Sequence, residues 1–197
     1  MAEGFLNKGL QDRGIHSVRV ESSGVAGWDG SPPAPEAALA VGEYGLDITL
    51  HRARRLTRPM VDWAELVLGM SAEHRDAVIR LNPRAERRTF TLKELVHLLE
   101  SASPIRVQGS SETQLQASVE VAAAERAAGG GATELLDEDI ADPLGLSIES
   151  FRAVAWELED LSRRLMDGLF PGTRGATVRS EQAEGIGGRA GGEGGVG

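Results

Sequence analysis

The chain has 197 residues, 41% hydrophobic and 26% charged, which is enough for one globular domain with a sizeable core and too few for two large ones. A net charge of −9 argues against general nucleic-acid binding, which relies on lysine and arginine displacing counterions, and an aromatic content of 4% supplies no stacking platform. Cysteine is absent, so disulfides, zinc-thiolate sites and a thiol nucleophile are excluded within these residues.

No apolar run reaches the length of a signal peptide or a bilayer span, so the expectation is a cytoplasmic protein with neither a membrane nor a nucleic-acid partner. Ala2 to Arg13 is predicted helical, with Phe5, Leu6 and Leu10 on one side and Gly14 as its stop. Ile15 to Ser22 alternates through Val18 and Val20 as a strand would, and a glycine-rich and proline-rich loop follows. A helix from about Glu36 to Gly45 comes next, and then a short extended segment from Leu46 to Leu50.

Thr57 and Pro59 open a short helix, and Glu65 to Met70 is an apolar run of buried-strand length. Ser71 caps a helix through Leu81. Thr89 to Leu92 reads as a short strand leading into a capping box, Thr91-x-x-Glu94, and a helix to about Glu100. Residues 101–138 turn to serine, alanine, glutamine and glutamate and are expected to be a surface insertion with one helix near 111–128. The last helix, Ile148 to Leu169, repeats Phe151, Val154, Leu158, Leu161 and Leu165 at three- and four-residue steps. Residues 171–197 are glycine-rich, with too few apolar residues to offset their ordering entropy, and are expected to form a disordered tail.

This order of segments resembles the low-molecular-weight protein-tyrosine phosphatase family. Met1-Ala2-Glu3-Gly4 resembles the residues that follow the family's phosphate loop, and Val20-Glu21-Ser22-Ser23-Gly24 the end of its second strand. Gly27-Trp28 with Pro32-Pro33 resembles the substrate-rim loop, His51-Arg52-Ala53-Arg54 the family's histidine-x-alanine-arginine sequence, and Leu66 to Met70 a later strand. Asp139-Ile140-Ala141-Asp142-Pro143-Leu144-Gly145 resembles the acidic Asp-Pro loop ahead of the terminal helix. The resemblance spans residues 1–170 apart from the insertion, and it implies an α/β fold, a three-layer doubly wound parallel sheet. The family's short first strand, central in that sheet, and its Cys-x-x-x-x-x-Arg loop are not matched in this sequence.

The resemblance also implies a chemistry. A cysteine thiolate attacks phosphorus, loop amides and an arginine hold the phosphoryl oxygens, and an aspartic acid protonates the leaving phenol. Asp142 matches that acid; the cysteine and the arginine have no counterpart here. By resemblance Trp28 is a wall for the phosphotyrosine ring, although a lone tryptophan reads equally as a packing residue. Ser22 and His51 would brace the phosphate loop, and Asp139 is expected to be a solvated neighbour or a weak second acid. His16, His74 and His97 lack metal spacing, and no metal or cofactor is expected.

Two readings follow. In the first, Met1 is a misplaced start and the longer protein is a phosphatase acting on phosphotyrosine proteins or small aryl phosphates. In the second, the chain is a non-catalytic binding or decoy module. The arsenate-reductase branch of the same fold needs shuttle cysteines and ranks last.

Overall fold

A computed structural model of the chain describes residues 1–25, 29–130 and 138–173. The first helix, α1 (Ala2–Gln11), carries Phe5, Leu6 and Leu10 on its buried side. It ends two residues earlier than the periodicity suggests because Gly14, at a φ of 67°, turns the chain in the left-handed region. The amide of Ile15 then returns to the carbonyl of Leu10 and buries the isoleucine beside the helix end. α2 (Pro35–Gly42) starts on its proline and closes in the same way, with Gly45 at a φ of 74° and the Leu46 amide on the Val41 carbonyl.

Beyond α3 (Arg58–Trp63) come β1 (Val67–Gly69), α4 (Ala72–Leu81), a 3-10 turn (Pro83–Arg88) and β2 (Thr89–Thr91). β1 and β2 pair in parallel, Leu68 opposite Phe90, and a helix crosses between them. The two faces of β1 meet different helices. Leu66 and Leu68 join the main core, whereas Val67 packs with Val61, Val78 and Ala85 from α3, α4 and the 3-10 turn. The protein is therefore α/β, with its small parallel sheet between helices.

α5 (Leu92–Ser101) begins on the expected capping box: the Thr91 hydroxyl accepts from the Glu94 amide at 3.1 Å, and the Glu94 carboxylate accepts from the Thr91 amide at 3.2 Å. Leu92, Leu95 and Leu98 are fully buried, facing α7 (Ile148–Leu169), whose Leu158, Leu161 and Leu165 form the other side of the core.

Two expectations are corrected. Ile15 to Ser22 forms no ladder: Val18 and Val20 do turn toward the core, but among the described residues no backbone group from His16 to Ser23 finds a backbone partner. The one parallel bridge there joins Gly24 to Arg55. Alternation selects a face, while a strand also needs a neighbour. The part of the 101–138 segment that is described, 101–130 and Glu138, is not all peripheral either. Its helix, α6 (Ser111–Ala127), sinks Leu115, Val119, Ala122 and Ala123 into the main core, and Gln114 and Ser118 both donate to the Leu169 carbonyl at the end of α7. Small side chains let the helix backbone come close, so its buried face reads as weakly hydrophobic. The glycine-rich segment beyond Thr173 lies outside the described residues. No helix among the described residues is long and apolar enough to cross a membrane.

Candidate functional site

The first turn of α1 gathers residues from three parts of the chain. The Ser22 hydroxyl donates to the Glu3 carboxylate at 2.5 Å, and His51 Nδ1 lies 3.7 Å from the same oxygen. Arg54 extends the group, with one nitrogen 3.1 Å from the Glu21 carboxylate and another donating to the Ser22 carbonyl at 3.1 Å. The trio opens onto a polar pocket of about 600 Å³ that Asn7, Tyr44 and Asp47 also line. Ser22 and His51 thus come together on Glu3, a residue that sequence reasoning did not single out. An acid in the first turn of a helix reads simply as a complement to the helix dipole.

Asp142 lies in a second group, on an exposed turn, and shares no hydrogen bond with that trio among the described residues. Its carboxylate accepts the Leu144 amide at 3.0 Å, Pro143 fixes the preceding backbone, and Gly145 takes a φ of 80°. The root of the turn is tied to the sheet: the Ile140 amide donates to the Met70 carbonyl at 2.8 Å, one residue past the end of β1. Ligands of open parallel sheets bind at the carboxyl ends of their strands, and Asp142 is held there.

Asp139, expected as a solvated neighbour or weak second acid, is exposed and also ties two helices. Its carboxylate accepts the Ala72 amide at 2.8 Å in the first turn of α4, and its carbonyl accepts Lys93 Nζ at 2.6 Å. Just before it, Glu138 accepts from Arg75 at 2.6 Å. Arg75 also faces Glu94 at 3.5 Å, and Arg126 faces the other oxygen of Glu94 at 2.8 Å while lying over the Phe90 ring, 3.8 Å from its centroid. That Arg126 Nε sits close enough for an ion pair but is angled away from a hydrogen bond. Burial opposes the charge on Arg75, yet Glu138 and Glu94 outweigh it and hold the guanidinium above its usual value. For Arg126 burial wins, and its value falls.

Trp28 lies outside the described residues. Among the described residues, no three histidine, aspartate or glutamate side chains converge as a metal site requires.

A family model described as low molecular weight phosphotyrosine protein phosphatase matches residues 1–120. The chain belongs to this family. It is 31% identical over 160 residues to a protein-arginine-phosphatase of Geobacillus stearothermophilus, covering 81% of this chain and 82% of the relative. It is also 37% identical over 87 residues to a low molecular weight protein-tyrosine-phosphatase of Streptomyces coelicolor, covering 42% and 51%. Among solved structures it is similar to the Geobacillus stearothermophilus arginine phosphatase, with a TM-score of 0.60 and 30% identity over 85% of this chain and 82% of that one. A low molecular weight protein tyrosine phosphatase from T. tengcongensis gives a TM-score of 0.61 at 27% identity over 84% and 87%. The family match takes in the Glu3, Ser22 and His51 group and both strands, while the Asp142 turn and α7 lie beyond its last residue. The arginine-phosphatase alignment, at 160 residues, is longer than the family match.

Proposed function

We propose that this chain carries the scaffold and the acid turn of a phosphoprotein phosphatase, and that a cysteine-bearing phosphate loop not contained in these 197 residues supplies the nucleophile. The observation that carries the reading is the Asp142 turn, hung from Met70, Ala72 and Lys93 at the carboxyl end of the parallel sheet. Asp142 is exposed, so its carboxyl can meet a bound phosphoester. In the forward step a thiolate bonds to phosphorus, the bond to the side-chain oxygen or nitrogen breaks, and Asp142 gives its proton to the departing atom. Water then releases phosphate, and the Asp142 carboxylate takes a proton back. Glu3, by fixing Ser22 and His51 to the first turn of α1, would steady the place where that loop meets the helix. Trp28, by resemblance, would flank the aromatic ring of a phosphotyrosine protein or a small aryl phosphate.

With no cysteine, the 197 residues alone have no group able to form the phosphocysteine, and they are expected to leave phosphomonoesters intact. A phosphoprotein substrate is supported by relatives named protein-arginine-phosphatase and protein-tyrosine-phosphatase. The test compares this chain with one extended upstream in frame, assayed on an aryl phosphate and on a phosphoarginine protein. Turnover by the extended chain alone, lost about 100-fold or more in Asp142→Asn, supports the reading. Turnover by the 197 residues themselves refutes it. A reading frame that encodes no Cys-x-x-x-x-x-Arg loop makes the chain a non-catalytic binding or decoy module.

A further inference from the structure

Among the described residues the Asp142 turn is tied to the sheet and helices at its root, by groups of α4 and α5 and by the Met70 carbonyl just past β1. Arg75 links that root to the buried start of α5. From α4 it reaches Glu138, the first described residue of the turn's approach, at 2.6 Å, and it faces Glu94 of the capping box at 3.5 Å. Glu94 is buried and already holds the Thr91 amide and Arg126, so its position is fixed by the start of α5. Directly after the Arg75 contact, Asp139 receives the Ala72 amide and Lys93 Nζ, and Ile140 reaches Met70. Lys93 is itself steadied by Glu157 of α7 at 2.9 Å.

We infer that Arg75, with Lys93 beside it, is a positioning residue that clasps the root of the acid turn to the end of the sheet and thereby sets the reach of Asp142. The inference rests on the assignment of Asp142 as the acid. Arg75 touches no reacting atom. It transmits the fixed position of Glu94 to Glu138, only four residues before Asp142. The same guanidinium nitrogen, Nη1, meets Glu138 at 2.6 Å and Glu94 at 3.5 Å, so a lysine that keeps the charge on a shorter, unforked head is expected to keep only part of the clasp.

Two measurements test it. The first is amide hydrogen exchange in this chain, comparing Arg75→Met, Arg75→Lys and Glu138→Gln. Arg75→Met and Glu138→Gln are expected to speed exchange of the Ile140 and Ala72 amides by about tenfold or more while leaving the core amide of Leu95 unchanged, with Arg75→Lys intermediate. Glu138→Gln breaks the clasp from the turn side and leaves Arg75 on Glu94, so the test survives if Arg75→Met unfolds. The second is kcat/KM in the loop-completed enzyme on aryl phosphates with good and poor leaving groups. A loosened acid slows the poor leaving group by about tenfold or more and spares the good one, which global damage would not do. Unchanged Ile140 exchange in both Arg75→Met and Glu138→Gln overturns the clasp. If Asp142→Asn itself leaves the leaving-group ratio unmoved, the acid assignment falls and takes the catalytic half of the inference with it, while the exchange result decides the clasp separately.

Discussion

Gly168, near the end of α7, offers a sharp test of how tightly the helices are fitted. A Cβ placed there would stand 2.8 Å from Leu99 Cβ and 3.1 Å from its Cδ1 on α5. Carbon atoms pack best at about 3.5–4.0 Å, so alanine asks the two helices to part by nearly 1 Å or Leu99 to leave its rotamer. The nearest atom is a Cβ, so moving it means moving the α5 backbone. Overpacking of this kind costs about 1–3 kcal/mol, and alanine's helix propensity returns at most about 1 kcal/mol, less so near close of the helix. Gly168→Ala is therefore expected to destabilise by about 1–2 kcal/mol. Gly9 on α1 provides the contrast: its Cβ would also stand 2.8 Å from a neighbour, but that neighbour is Met166 Cγ. A methionine swings aside with little penalty, so Gly9→Ala should fall within about 0.5 kcal/mol of the parent. Urea melts followed by circular dichroism read both. A Gly168→Ala chain as stable as the parent, or a Gly9→Ala chain weaker than Gly168→Ala, would refute the close α5–α7 approach.

Two further outcomes follow from the ion pairs and hydrogen bonds. Ser22→Ala and Glu3→Ala should each cost about 1 kcal/mol and couple in a double-mutant cycle; strictly additive losses would deny the bond between them. The hydrogen bond from Arg164 is the largest influence on Glu100 and holds its carboxyl below the usual range, with partial burial opposing it. A depressed value means that this stability is present above the unfolded pKa and is lost as the pH falls through the folded one. Because both partners are more than a third exposed, the effect is under about 1 kcal/mol, and Glu100→Gln should flatten the acid limb of the stability profile by that amount.

Long periodic stretches could be read directly. α7 runs from Ile148 to Leu169 as its apolar spacing predicts, and Ser71 and the Thr91 and Glu94 box start α4 and α5 where their caps stand. Local chemistry of this kind is decided within a few residues. Pairing is not, which is why Val18 and Val20 announced a face but not a ladder. α6 lies where a helix is expected near 111–128, but its burial is not legible because alanine and serine, residues that also dominate surface loops, make up much of its inward side. Ser22 and His51 were chosen by resemblance, whereas Glu3, which joins them, looked like an ordinary first-turn acid. Arg75 and Lys93 carried no signal at all, since a charged residue on a helix normally faces water and only the fold shows what lies opposite.

The close of α7 depends on another helix. Its final carbonyl, at Leu169, is taken by Gln114 and Ser118 rather than by a cap of its own. Tension applied beyond Thr173, by a tweezer handle or an unfoldase pore, would therefore reach α6 early. Freeing the Leu169 carbonyl would prise α6 from its seat and bare Leu115, Val119 and Ala122 before the sheet felt the pull. Threaded from that side, the protein would come apart through the very segment that its composition marks as expendable.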